Sequence, residues 1–304
     1  MFSSVSAVLF ILLCALVPAA TIIFCQFKNS QLKRRSPISE PLLPLPGETL
    51  QKNLNFENNK LIAVFSFSAL IPSIILICLM GQWINPALMQ FHWIDLLWLL
   101  ICGASITASV YATKRIMARR KAFSAGLIGE MATAEYFTPL VREGWYIFHD
   151  LSFPRGNIDH VLVGPTGIFA IETKYRSKYA DIKGGQGALA EYDGNSILFS
   201  GRRQEDLPLQ QAKAVSGELS KYLRGKLGYT VPVRPVVSLP GWRIENYLPD
   251  EESEVIVLNP KNFRRLKNFQ VIINAPEAIK VTSALEEMAK KSPKKPFYKS
   301  IIKR

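Results

Sequence analysis

Glu172 and Lys174 stand two residues apart at the end of an apolar run, Ile168-Phe169-Ala170-Ile171, and Asp159 lies in an earlier run of strand character, Ile158 to Val163. Side chains of a strand alternate between its faces, so Glu172 and Lys174 share one face while Thr173 points to the other. Gly164-Pro165-Thr166-Gly167 between the runs is a strong turn signal, which joins them as a hairpin. With Val163 paired to Ile168, Asp159 falls opposite Glu172, and facing side chains have Cβ atoms roughly 4.5 to 5.5 Å apart. At an effective dielectric of about 20 the repulsion is on the order of 3 kcal/mol. A divalent cation between the two carboxylates would offset it, since Mg2+ prefers oxygen ligands and commonly takes one or two carboxylates plus water and phosphate oxygens. An ammonium at Lys174 would then orient a nucleophilic water and stabilise developing negative charge. Glu-x-Lys on a strand is otherwise a solvated face. The apolar run leading into it, with an acid opposite, favours the charged end of a central strand opening into a cleft.

The elements that must position these residues are legible as patterns. Ala122 to Leu140 carries Leu127, Ile128, Met131, Ala134, Tyr136 and Phe137 at helical spacing, with Glu130 near its start and Gly144 as its breaker. Trp145 to Leu151, Ile158 to Val163 and Ile168 to Tyr175 read as strands. Leu209 to Leu223 reads as a helix with Ala212, Val215, Leu219, Tyr222 and Leu223 on its apolar face. Val233 to Leu239 and Val255 to Leu258 supply later strands, Ile197 to Phe199 is a candidate strand, and Pro276 to Lys291 is helix-like. His160 neighbours Asp159 and so points to the opposite face, where it reads as packed or hydrogen-bonded; His149 reads likewise. Trp242 reads as a packing residue.

Three segments carry a resemblance in combination: Gly126-Leu127-Ile128-Gly129-Glu130, Asn157-Ile158-Asp159-His160-Val161, and Gly167-Ile168-Phe169-Ala170-Ile171-Glu172-Thr173-Lys174. Over Gly126 to Phe269 the chain resembles the nuclease-related domain (NERD) family, which is similar to the Mrr-like branch of PD-(D/E)XK nucleases. The resemblance implies an α/β fold with a PD-(D/E)XK-like αβββαβ core and a mixed sheet. It implies that Asp159 and Glu172 bind Mg2+ (or Mn2+), that Lys174 serves the attacking water, and that Glu130 completes the acidic site. Pro208-Leu209-Gln210-Gln211 matches a family Pro-x-x-Gln element, which implies Gln211 as a further polar site residue. Tyr175 to Arg203 departs from the family pattern and leaves the substrate wall undefined.

The 304 residues include 48% hydrophobic ones, and the formal net charge is +13. Disorder, collagen and a small disulfide scaffold are excluded. All four cysteines lie in apolar stretches of the first third, none at metal-ligand spacing. Residues 5–25, 61–80 and 94–111 are long and apolar enough to be three transmembrane α-helices. Six Lys and Arg lie between the first two, none between the second and third, and a basic cluster from Lys114 to Lys121 follows. The positive-inside rule then makes residues 26–60 a cytoplasmic loop, irregular because of its prolines, and puts the carboxy-terminal part in the cytoplasm at the inner membrane. A cleaved signal peptide is the competing reading of the first stretch, which lacks a basic leader before Val5.

The expected organisation is a membrane region over 1–120, a nuclease domain over 121–275, and a helix and basic tail over 276–304. From residue 121 onward there are 27 Lys and Arg against 20 Asp and Glu, a balance that suits DNA, RNA or another polyanion. The tail suits nucleic acid, the anionic leaflet of a lipid bilayer, or plain solvation. The expected function is a membrane-anchored, Mg2+-dependent nuclease; the alternative is a catalytically silent, membrane-tethered module that binds or senses nucleic acid.

Overall fold

The computed structural model describes residues 42–83, 93–153, 156–178, 182 and 184–291. The expected first span, most of the connector before residue 42 and the tail after 291 lie outside them. The described residues fall into two compact units, one within 55–120 and the other within 41–54 and 121–304.

Two long helices run through the first part of the chain, α1 (Glu48–Trp83) and α2 (Trp93–Arg142). The loop expected over 26–60 is therefore corrected: α1 already begins at Glu48. Its first turns contain Gln51 to Lys60, rich in asparagine, which by itself competes with helical hydrogen bonding. Local partners offset this, for Glu57 is fully buried and pairs with Lys60 Nζ at 2.9 Å and with Arg119 Nη1 of α2 at 3.7 Å. A second correction concerns α2, which joins the expected third span and the expected first helix of the soluble domain without a break. The basic cluster between them, apart from Ile116, is made of Lys, Arg, Ala and Met, all good helix formers. Among the described residues one helix, not three, is long and apolar enough to cross a bilayer: Leu96–Arg142, whose most apolar window has a mean hydropathy of 1.7 and no buried residue. The expected span over 61–80 lies within α1.

α2 ends as the sequence predicts. Gly144 adopts φ +82°, and the Gly144 and Trp145 amides donate to the carbonyls of Val141 and Leu140, closing the helix with a left-handed glycine. Then come β1 (Tyr146–Phe153), β2 (Gly156–Gly164) and β3 (Gly167–Thr173), three short strands β4 (Leu189–Tyr192), β5 (Ile197–Phe199) and β6 (Arg203–Glu205), α3 (Leu207–Leu227), β7 (Val233–Ser238), β8 (Arg243–Asn246), β9 (Ile256–Leu258) and α4 (Ala275–Lys291). The order is thus helix, three strands, helix, strand, with β4 to β6 inserted before α3.

The strands form two mixed sheets, β1-β2-β3-β7-β9 and β6-β5-β4-β8. In the larger, β1, β2 and β3 are antiparallel neighbours and β3, β7 and β9 run parallel. β3 is central and wholly buried, covered on one face by Phe137 and Leu140 of α2 and on the other by Leu219 and Leu223 of α3. Burying each such Leu or Phe side chain contributes roughly 1.5 to 3 kcal/mol. α3 presents the expected face: Leu209, Ala212, Leu219 and Leu223 are buried, and Val215 and Tyr222 pack at its edge. The smaller sheet shares its core with the start of α3, where Trp242, 1% exposed, meets Phe199 edge-on and donates its indole N–H to the Arg176 carbonyl.

Candidate functional site

The hairpin forms in the expected register. Val163 pairs with Ile168 and His160 with Ile171, so the next positions along the ladder are Asp159 and Glu172. Gly164 and Gly167 close the turn, and Trp145 packs so tightly on Gly164 that a Cβ there would meet its ring at 2.3 Å.

Charges gather at the open end of β3. Lys174 Nζ contacts Glu172 Oε1 at 2.5 Å, as expected of residues two apart on one face. Asp159 Oδ2 accepts the Thr173 amide at 2.7 Å. Thr173 points the other way, its hydroxyl donating to Thr133 Oγ1 of α2, which in turn bonds Ser238 Oγ at 2.9 Å. Glu130 reaches the same cluster because α2 crosses close to the end of β3. Gly129 permits that approach, since a Cβ there would meet Tyr175 Cβ at 3.1 Å and Thr173 Cγ2 at 3.5 Å. The glycines of the Gly126 to Glu130 motif are thus contact points that seat the acid beside them.

Electrostatics confirm that the acids feel one another. Burial pushes Glu130 up to about 8, helped by the charges of Asp150 and Glu172 and opposed by Lys174 and a hydrogen bond from the Gly47 amide. Burial likewise holds Asp159 well above the usual carboxylate range, with Glu172 and Glu130 adding to it and Lys174 and the Thr173 amide opposing. Like charges and desolvation both favour the neutral acid.

Asp150 is the residue that sequence reasoning missed. β1 and β2 pair in a register that sets Asp150 opposite Asp159, yet the ladder skips that pair, passing from His149 and His160 to Leu151 and Ile158. Asp150 has φ +50° and is 4% exposed. Phe148 and Leu151, three apart, pack in the same core, as do Ile158 and Val161; strict alternation forbids that. The pleat is therefore broken across the two aspartates. Extending the hairpin argument from β2 to β1 would have found Asp150.

The histidines are packed, as expected. His149 Nδ1 and His160 Nδ1 are 2.9 Å apart, and burial lowers both, His149 to about 4. Gln211 lies in the first turns of α3 with its amide oxygen buried and unpartnered; among the described residues no hydrogen bond joins it to the acids. Beyond Lys174, Arg176 is held by Glu205 of β6, with Nε to Oε1 at 2.9 Å and Nη2 to Oε2 at 2.7 Å, which ties the smaller sheet to the site.

The donor set fits a hard divalent cation by its chemistry. Asp159 and Glu172 offer carboxylate oxygens, and Glu130 Oε2 is buried with no hydrogen-bond partner. Among the described residues, however, no three His, Cys, Asp or Glu side chains stand grouped as a metal-holding set. Lys174 and the Thr173 amide already engage an oxygen each of Glu172 and Asp159.

The nuclease-related domain (NERD) family matches residues 125–240, a stretch that holds Glu130, Asp150, Asp159, Glu172, Lys174 and Gln211 and leaves out α1, β8, β9 and α4. No curated protein matches the chain, and no solved structure does.

Proposed function

We propose that the chain is a membrane-anchored nuclease that hydrolyses phosphodiester bonds of DNA or RNA, with a PD-(D/E)XK-like domain on the cytoplasmic side of the inner membrane. The observation that carries this reading is the convergence of Glu130, Asp159, Glu172 and Lys174 at one end of β3, inside the stretch matched by a nuclease-related family. Four ionisable side chains in a largely buried place are costly to fold around unless they act.

Asp159 and Glu172 are the residues that would hold Mg2+ or Mn2+, which when bound supplies Lewis-acid stabilisation of charge on the phosphate and lowers the pKa of water. Lys174 places an ammonium beside Glu172, where it orients the attacking water and opposes negative charge that develops on the phosphate. Glu130, raised to about 8, can exchange a proton close to neutral pH. Gln211 is assigned as a polar contact to substrate. The apolar exposed surface of α2 over 96–111 and the basic cluster that follows support the anchor and its orientation.

The test is cleavage of labelled DNA and RNA by the full chain in Mg2+ or Mn2+, beside Asp159→Ala and Lys174→Ala. Metal-dependent cleavage lost in both variants supports the reading. Nucleic-acid binding without cleavage points to a silent module, which the engagement of Glu172 by Lys174 would suit.

A further inference from the structure

The start of α1 belongs to the same compact unit as the acids. Gly47, at φ +69°, turns the chain into the helix, and a Cβ there would meet Leu127 Cδ1 at 2.4 Å and Glu130 Oε2 at 3.5 Å. One turn on, Leu50 Cδ1 lies 3.0 Å from where a Cβ of Gly126 would stand. The Thr49 amide, one of the first-turn N–H groups that a helix leaves unsatisfied, donates to Asp150 Oδ2 at 2.6 Å. Asn157 Nδ2 holds the other oxygen at 2.5 Å. Asp150 therefore caps α1 from a distant strand, with its carboxylate at the positive end of the helix. It does so from a left-handed backbone that few residues other than glycine, asparagine and aspartate hold.

We propose that Asp150 is a positioning residue for the acid site, fastening the turn from Gly47 to Thr49 so that Gly47 stays packed against Leu127 and Glu130 and closes that side against water. Its catalytic consequence rests on the nuclease reading; the fastening itself does not. Asp150 touches no reacting atom here. It acts through Gly47, and it makes residues 42–54 part of the site although they precede the matched family stretch.

Three variants of the full chain separate fastening from mere tolerance of the bend. Asp150→Gly accepts a positive φ but offers no acceptor, Asp150→Asn accepts it and keeps an oxygen for Thr49, and Asp150→Ala does neither. The readouts are amide hydrogen exchange over residues 45–50, Mn2+ affinity by calorimetry, and kcat against KM for cleavage. In Asp150→Gly and Asp150→Ala, Mn2+ affinity and kcat are expected to fall about tenfold or more, the usual effect of losing an outer partner of a metal site, with KM for nucleic acid unchanged and exchange accelerated. Asp150→Asn, which keeps the Thr49 bond and loses only the one from Asn157, is expected to stay closer to the parent than the other two in all three. Parental exchange, affinity and kcat in Asp150→Gly overturn the proposal while leaving the nuclease reading intact. A parent that binds Mn2+ but cuts nothing sinks the nuclease reading and leaves affinity and exchange to decide; a parent that does neither sinks the nuclease reading and leaves exchange over residues 45–50 to decide the fastening.

Discussion

Across β1 and β2, His149 faces His160, and one step along the same ladder Asp150 comes opposite Asp159. The first pair is solved locally. One hydrogen bond joins the rings, both are held neutral by burial, and the ladder passes through them unbroken. The second pair is solved by importing donors: Thr49 and Asn157 serve Asp150, Thr173 serves Asp159, and the backbone bends to admit them. Neighbouring residues of one hairpin thus contrast a polar pair joined within itself with one that depends on distant donors. The histidines bond only each other, with His160 Nε2 left buried and without a partner, whereas the aspartates draw donors from α1, β2 and β3 into an acid cluster whose charges remain in conflict.

Breaking the acidic side should have the largest effect. Glu172→Ala is expected to lower the cleavage rate roughly a hundredfold to a thousandfold, as loss of one preorganised charge typically does, with the fold retained by circular dichroism. Breaking the histidine side should do the reverse. His160→Ala empties a fully buried position and strands His149, so unfolding in urea should be easier by about 2 to 4 kcal/mol, with kcat of the folded protein preserved.

A smaller effect sharpens the contrast. Asp159→Asn keeps an oxygen for the Thr173 amide and removes one repelling charge, so in chelator it should be more stable than the parent by about 1 to 2 kcal/mol. Lost stability in that variant would mean the charge is welcome without a cation.

The acid cluster and the histidine pair also respond to pH with opposite sign. Glu130, raised from 4.5 to about 8, gives stability that is fully present below about 4.5 and lost as pH rises through about 8. His149, lowered from 6.5 to about 4, gives stability that is present above about 6.5 and lost as pH falls through about 4. Glu130→Gln should flatten the decline in melting temperature on the alkaline side in chelator and leave the acid side unchanged.

Most of the acid site could be read from sequence because it rests on short-range geometry. A tight turn fixes the β2 and β3 register, alternation fixes Lys174 beside Glu172, and an apolar run marks β3 as central. The unread parts depend on distant contacts. β4, β6 and β8 are three or four residues long, too short for periodicity to show, and β6 carries Glu205, which finds Arg176 only in the fold. Gly47 and Thr49 reach Glu130 and Asp150 from about a hundred residues away in the chain, as the Thr49 to Asp150 bond shows. Asp150 itself hides in what reads as an ordinary strand, because nothing in its neighbours announces a broken pleat. The unbroken α2 was misread for a different reason: a change from apolar to basic residues marks an environment, not the end of a helix.

The central claim is that Asp159 and Glu172 are held together to share a cation. Its most direct test is the melting temperature of the full chain near pH 7, in chelator and then in Mg2+ or Mn2+, for the parent and for Asp159→Asn. The account predicts that the cation raises the parent's melting temperature by several degrees and leaves the variant, already relieved of one charge, where it was. An equal response in both proteins, or none in the parent, would contradict it.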